Sequence, residues 1–378
     1  MNHLDKTLLR LGLLAVMVAG GTPGWAAQPI QPTCGETIAS GNWVLTANVG
    51  PCSDGAPALT VEGPAHLDMD GYMVLCEADG GDVPTGIQVT GQNARISDGT
   101  VKGCNTGIAV EGDGHHRLEG ITVVGSQDRG INIGSDGNRL EWVTVLGSGD
   151  EGMRIEGDGN RVVEGRAAGN HNHGIRVKNA SNNSILSTQA FTNLGEEIEN
   201  GTVVNVFGEG IRLEGDHNVA KDCIANGNGD EGVRVKGGEG NVVSHCLAQA
   251  NGTTTGEPGI EVDEGATHTV VEYTRASANA ADGIASGGQY TLVRHDTTLA
   301  NGSVVPQPPP DDGGAVVPPG PFGAGIRVRA GGTDNRLTRN TAHGNRVTDL
   351  VDENENCDNN AWRRNSFDTA DPADSCIR

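Results

Sequence analysis

The sequence predicts an all-β solenoid: one chain wound into a coil of about 12 rungs, with disulfide-closed caps at its ends. Three observations predict it. A Gly-Ile-x-Val phrase recurs from Gly86 to Gly325, its glycines 21, 23, 22, 22, 36, 22, 27, 24 and 42 residues apart. A base period of 22 residues with insertions marks a repeat architecture. Inside the phrase apolar and polar residues alternate, as in Gly174-Ile175-Arg176-Val177, the pattern of a strand with one buried face. Between the phrases stand Gly, Asn and Asp, which tolerate left-handed backbone at corners. Twenty-two residues holding two or three short strands are too few for a helical crossover, so each period must wind once and stack as parallel strands. Rungs ~4.8 Å apart would build a cylinder ~55–60 Å long.

The elements follow in order. Residues 1–26 read as an export signal: Lys6 and Arg10, then the apolar run Leu11 to Ala19, then Trp25 between the small residues Gly24 and Ala26, with cleavage after Ala26. The run is too short to span a membrane. Residues 27–58 form an N-terminal cap, which a solenoid needs because its end rung exposes core and strand edge. The coil runs over 59–350. Within each period an Asn recurs about eight residues after the glycine (Asn138, Asn160, Asn182, Asn218, with Asn241 slipped by one). A second set is Asn105, Asn170, Asn193, Asn226, Asn251, Asn279 and Asn301. Stacked corner asparagines can bond along the axis and satisfy corner backbone. Extra residues fall at 194–209, 252–258 and 302–324, the last rich in proline. All precede a Gly-Ile-x-Val strand, so they wall one side of one face. Residues 351–378 form the C-terminal cap, with Trp362 and Phe367 to plug the core.

The eight cysteines form an even set in an exported chain. Proximity favours Cys34 with Cys52, Cys76 with Cys104 and Cys357 with Cys376. Cys223 and Cys246 stack on adjacent rungs, either as a disulfide or as two small buried residues. A formal net charge of -23 argues against nucleic acid as partner. The 59 glycines and 3% aromatic residues suit a narrow, frequently bent core.

Register places Arg154, Arg176, Arg212 and Arg234, then Glu261, in one outward row of the repeated strand. Glu156, Lys178, Glu214, Lys236 and Asp263 form the next row, alternating in sign as a surface ladder should. Carboxylates stand at the preceding corner: Asp150, Glu151, Glu209, Asp230, Glu231 and Asp282. An arginine–carboxylate mesh on a solvated face is the plainer reading. A groove for an acidic polysaccharide is the functional one, with guanidinium forks on uronate carboxylates and Asp/Glu oxygens around Ca²⁺.

The spacing, the asparagine positions and phrases such as Glu156-Gly157-Asp158-Gly159-Asn160-Arg161-Val162-Val163 resemble the right-handed parallel β-helix repeats of the pectate-lyase-like superfamily over residues 59 to 350. The resemblance implies a single-stranded right-handed parallel β-helix. For activity it implies polysaccharide lyase chemistry, in which carboxylates hold Ca²⁺ against the substrate and an Arg removes the C5 proton. It then points to Arg154, Arg176 or Arg234 as the catalytic base, Arg212, Lys178 and Lys236 as substrate-binding residues, and Asp150, Glu151, Asp230 and Glu231 as metal ligands. The two acidic corners are separated by the Gly174 and Gly210 rungs, roughly 14 Å at the rung spacing. Polygalacturonase chemistry is not expected, because His173 and Arg176-Val177-Lys178 crowd one rung and its Asn-Thr-Asp motif is missing. The expectation is an exported monomer, periplasmic or secreted. It acts on or binds acidic polysaccharide or a cell-surface glycan, Ca²⁺ being its one implied cofactor. The alternative is a non-catalytic β-helix for adhesion or scaffolding.

Overall fold

The computed structural model describes residues 27–53, 55–77, 82–199, 202–254, 256–302, 323–371 and 376–377. The export signal and nearly all of the proline-rich insertion lie outside the described residues. The repeated phrase forms one parallel sheet of 14 strands, whose spatial order follows the chain from Glu36–Ile38 to Ala370–Asp371. Twelve of these strands run from Leu59–Glu62 to Thr348–Asp352, and each cap adds one more. The other strands of each rung form two further parallel ladders, joined into a 25-stranded sheet by the eight-residue strands Arg95–Lys102 and Arg117–Val124. The only helical element among the described residues is the short turn Glu355–Cys357, and none is long and apolar enough to cross a membrane.

Pairing places equivalent residues on top of one another: Ile175 against Met153 and Ile211, Val177 against Ile155 and Leu213. These apolar positions are fully buried and form one continuous core. Each buried Val, Leu or Ile contributes about 1.5–3 kcal/mol, and a stack of them fixes the register.

The glycine of each phrase has a steric cause. A Cβ at Gly232 would lie 2.6 Å from Asn251 Nδ2 and 2.7 Å from the Gly259 carbonyl oxygen, and Gly152, Gly174, Gly210, Gly259, Gly283 and Gly325 are equally crowded. The corner asparagine of the neighbouring rung occupies the space a side chain would need. Those asparagines form a continuous column: the Nδ2 groups of Asn170, Asn193, Asn228, Asn251, Asn279 and Asn301 each donate to the next Oδ1 at 2.8–3.1 Å, ending on Asn345. A second column runs through Asn138, Asn160, Asn183, Asn218 and Asn241.

Three expected members are not in the columns. Asn105 is exposed, and the buried Cys104 takes its place at the corner. Asn228, not Asn226, continues the first column, since Asn226 lies in the strand Ile224–Asn226. Asn183, not Asn182, continues the second, because one extra residue enters the Gly174 rung and Asn182 takes the left-handed corner at φ 60°.

All eight cysteines are paired: Cys34–Cys52, Cys76–Cys104, Cys223–Cys246 and Cys357–Cys376. The first and last close the two ends, and the alternative left open for Cys223 and Cys246 resolves to a disulfide. Such bonds persist in an oxidising compartment, periplasmic or extracellular.

Candidate functional site on the fourteen-strand sheet

Parallel pairing stacks Arg154, Arg176, Arg212, Arg234 and then Glu261 on successive rungs of the outward face. Four like charges in register repel, and the structure answers with carboxylates on both sides of the row. On the corner side, Glu151 lies 3.6 Å from Arg154 and 3.3 Å from Arg176, while Glu209 lies 2.9 Å from Arg212 and 3.5 Å from Arg234. On the other side, Glu156 holds Arg154 at 3.0 Å, Glu214 bridges Arg176 at 3.1 Å and Arg212 at 2.5 Å, and Asp263 holds Arg234 at 3.0 Å. Between 11% and 19% of each of these four arginine side chains is exposed.

The corner row itself is buried and polar: Glu151, His173, Glu209 and Glu231 are each 1–2% exposed on consecutive rungs. His173 Nδ1 touches Glu209 Oε2. Burial works to raise the Glu209 carboxyl, but the His173 and Arg212 contacts outweigh it and hold it well below the usual carboxylate range. At the far end of the arginine row the balance reverses. Burial pushes Glu231 well up, aided by its hydrogen bond to Glu261 and by the charges of Asp230, Glu261 and Glu209. Glu261 stays low, because the Glu231 bond, Arg329 and Arg234 outweigh its own burial. The pair is thus pushed apart, Glu231 toward its neutral form and Glu261 toward its ionised one. Burial and the Glu261 charge push Glu257 up to about 7.

The ligand oxygens of Glu231, Glu257 and Glu261 all lie within 4.8 Å of one another, as do those of Glu209, Asp230 and Glu231. The two triads share Glu231, whose Oε2 is buried and accepts no hydrogen bond.

A family model described as a right handed beta helix region matches residues 85–196 and 190–367. The chain belongs to the right-handed β-helix family. No curated protein sequence matches it. Among solved structures this β-helix is similar to a mannuronic-acid-specific polysaccharide family 6 lyase from human gut microbiota, at 12% identity and a TM-score of 0.56, over 88% of this chain and 82% of that one. It is also similar to the periplasmic alginate epimerase AlgG, at 11% identity and a TM-score of 0.47, over 86% and 76%. A third is the A-module of the Azotobacter vinelandii mannuronan C-5 epimerase AlgE6, at 12% and 0.45, over 91% and 87%. At such identities the likeness is one of fold.

Within the β-helix the expected site residues divide. Arg154, Arg176, Arg212 and Arg234 come together. Lys236 joins them through Asp263 at 3.1 Å, whereas Lys178, on the same outward row, makes no ion pair among the described residues. The guanidinium groups take most of the carboxylates that the sign-alternating row would have paired internally. Asp230 and Glu231 meet in one cluster. Asp150 and Glu151 do not join it, since two rungs intervene. Asp150 is bound by Asn172 at 2.8 Å, and Glu151 belongs to Arg129, Arg154 and Arg176. A single calcium site shared by both acidic corners is thereby excluded by distance.

The sequence reading missed Glu257 and Glu261 as partners of Glu231. Glu257 arrives through the 252–258 insertion, which folds back over the preceding corner by hydrogen bonds from Thr253 and Thr254 to the carbonyls of Asn228 and Gly229 at 3.2 and 2.7 Å. The available signal was Glu261 itself, the residue at which the arginine row changes sign.

Proposed function

We propose that this β-helix binds an acidic polysaccharide along the Arg154–Arg234 row, with the chain's end at the Glu231–Glu257–Glu261 notch, where a lyase-like elimination takes place. The observation that carries this reading is the junction of four in-register arginines with three clustered carboxylates, of which Glu257 is pushed up to about 7. Guanidinium forks suit uronate carboxylates. The fold is one that a mannuronic-acid-specific lyase also uses, so a polyuronate is the class to test first.

The notch fits a hard divalent cation such as Ca²⁺. It offers oxygen ligands only, and the Glu231 Oε2 is buried without a hydrogen bond. Glu231 and Glu261 would hold the ion, with Glu257 left free beside them, and the ion would supply Lewis-acid stabilisation of a neighbouring carboxylate's charge. The roles expected for the arginines change in this proposal. Burial works to lower Arg234, but the charges of Glu231, Glu261 and Asp263 hold its guanidinium above the ordinary value. It therefore remains a cation and stabilises an enolate-like transition state. Arg154 and Arg176, engaged by carboxylates at 3.0–3.6 Å, serve the same end. Removal of the C5 proton falls to Glu257, whose value of about 7 suits a general base; as the C4–C5 double bond forms the C4–O bond breaks, and the leaving oxygen takes its proton from water.

The test is retention on immobilised polygalacturonate and alginate, with Ca²⁺ and with chelator, alongside the ultraviolet absorbance of an unsaturated uronate product. Expected are Ca²⁺-dependent retention, its loss in Arg212→Ala, and loss of product alone in Glu257→Gln. Retention unchanged in Arg212→Ala overturns the site. A second reading, a non-catalytic surface β-helix, is favoured by the completeness of the arginine–carboxylate mesh. Retention without product on any polyuronate would establish it.

A further inference from the structure

A different face of the molecule carries a groove of about 590 Å³ near its C-terminal end. Its floor is the outward side of three paired strands, Leu292–Arg294, Arg336–Thr338 and Ala361–Arg363. Its walls are two corner columns. Tyr290 stands on one side. His295, Arg339 and Arg364 stand on the other, joined along the axis by backbone bonds from His295 to Thr338 and from Arg339 to Arg363. Arg336 and Arg363 rise from the floor. Arg336, Arg339, Arg363 and Arg364 are exposed and make no ion pair among the described residues. Arg294 is neutralised by Glu272 at 2.6 Å, and the rim holds one carboxylate, Asp334. In a chain of net charge -23, four unpaired guanidinium groups in one groove are a local reversal of sign.

The walls add a second, independent feature. His268 stacks on Tyr290 at 5.0 Å, and His245, Tyr273 and His295 stack in a row at 5.0 and 4.9 Å. Tyr273 and Tyr290 are 49% and 51% exposed, in a protein with three tyrosines in all. All five residues sit in left-handed backbone, with φ between 53° and 59°. Earlier in the Tyr290 column the same corner is made by His115, Gly137, Gly159, Asn182, His217 and Gly240: glycine, asparagine and histidine, residue types that enter this conformation more readily than tyrosine. A corner alone would not call for tyrosine there.

From this placement we infer a second glycan site: the Tyr290–Arg336–Arg363 groove binds an acidic oligosaccharide, its rings against the tyrosine and histidine faces and its carboxylate or sulfate groups on the unpaired arginines. Tyrosine offers an apolar face to a sugar's C–H surface and a hydroxyl to its rim. The guanidinium fork accepts either oxyanion in two parallel bonds. The overall negative charge disfavours a long phosphate backbone, and a short groove bordered by stacked rings suits a few sugar units. The site shares no residue with the arginine row on the fourteen-strand sheet.

The test is calorimetric titration of the full chain with an oligogalacturonate, a sulfated dextran oligomer, neutral dextran and a short single-stranded oligonucleotide. Saturable binding of at least one acidic saccharide is expected, with none for neutral dextran. The two acidic arms decide between carboxylate and sulfate. Arg336→Ala combined with Arg363→Ala should weaken that binding by about tenfold or more. Tyr290→Asn, which keeps a residue tolerant of left-handed backbone, should weaken it several-fold. Lys221→Ala, an exposed cation outside the groove, should leave it unchanged, and thermal unfolding of each variant should match the parent. The inference is overturned if no acidic saccharide binds, if neutral dextran binds equally, or if the oligonucleotide binds more tightly. Binding that survives both groove variants but is lost in Arg212→Ala would overturn it while sparing the proposal for the other face.

Discussion

Asn228→Ala should be among the most damaging single substitutions in the coil, and its cost can be worked from the bonds it removes. The Asn228 Oδ1 accepts the backbone N–H of Asn193 at 3.2 Å and the Asn193 Nδ2 at 2.9 Å. Its Nδ2 donates to the carbonyl of Ala190 at 3.2 Å and to Asn251 Oδ1 at 2.9 Å. Asn193, Ala190 and Asn251 are each at most 1% exposed, so water cannot substitute. The Asn193 side-chain nitrogen keeps a longer contact to Ala167, and Asn251 Oδ1 keeps the backbone N–H of residue 228. The Asn193 N–H is left without an acceptor and the Ala190 carbonyl loses a donor. A buried donor or acceptor stripped of its partner costs about 1–3 kcal/mol, so the two together come to about 3 kcal/mol. The control is Asn226→Ala, two residues away on a half-buried strand position, expected within about 0.5 kcal/mol of the parent. Urea unfolding of both variants, read by circular dichroism, gives the comparison, and amide exchange at Asn193 reports the local opening directly. Equal effects of the two substitutions, or a cost below about 0.5 kcal/mol at Asn228, would refute the account of the asparagine column.

Three further outcomes follow from the same structure. Asp296→Asn should stabilise the protein at alkaline pH and flatten its pH dependence: burial pushes Asp296 from 3.8 up to about 8, so the folded state binds its proton more tightly than the unfolded one, and stability present below pH 4 is lost as pH rises through 8. Thermal unfolding at pH 5 and pH 9 should show the variant's advantage at the higher value alone, by a few kcal/mol. Gly232→Ala should destabilise by several kcal/mol, since its Cβ would meet Asn251 Nδ2 at 2.6 Å and the Gly259 carbonyl oxygen at 2.7 Å, and a full folding yield with unchanged melting would contradict that packing. Millimolar Ca²⁺ should raise the melting temperature at pH 7 in the parent and not in the Glu231→Gln/Glu261→Gln variant, as binding to the folded state alone requires; equal shifts in both would remove the cation from the notch.

The fold was legible because a solenoid writes its period into the sequence. Wherever a phrase recurs at 22 residues the pairing is dictated, and Arg154, Arg176, Arg212 and Arg234 fall into register without further information. Legibility failed where the count slipped. A single extra residue moved the ladder position from Asn182 to Asn183. Asn226 shares its residue type with Asn228 but lies on the strand, 16 residues after Gly210, whereas Asn228 at 18 keeps the spacing of Asn170 and Asn301. The acidic notch was only half legible: Asp230 and Glu231 stand at the corner just before the repeated phrase, whereas Glu257 comes from an insertion tied by two threonine hydroxyls to the previous rung. The basic groove was not legible. Its arginines come from strands without a constant phrase, and the proline-rich insertion before Gly323 breaks the spacing between the Leu292 and Arg336 rungs.

A stacked coil places physical limits on where function can sit. Any residue type repeated in register either satisfies itself, as asparagine does, or must be neutralised by a neighbouring row, as the arginines are by Glu151, Glu209, Glu214 and Asp263. A satisfied row offers a ligand little per residue, since binding must first displace partners already at 2.5–3.6 Å, so a polysaccharide along the arginines has to draw on all four of them together. The capacity to bind therefore concentrates where a row breaks. On the fourteen-strand sheet the break is Glu261, where a carboxylate replaces the fifth arginine and burial with its charge pushes Glu231 well up even with Arg234 at 3.2 Å. On the other face it is the groove of Arg336, Arg339, Arg363 and Arg364, where guanidinium groups gather without an ion-paired carboxylate among the described residues. The two breaks are opposite in charge. The first calls for a cation or a proton to complete it, and the second for an anion, so salt should weaken ligand binding at the second directly, while at the first it is acid and chelator that decide.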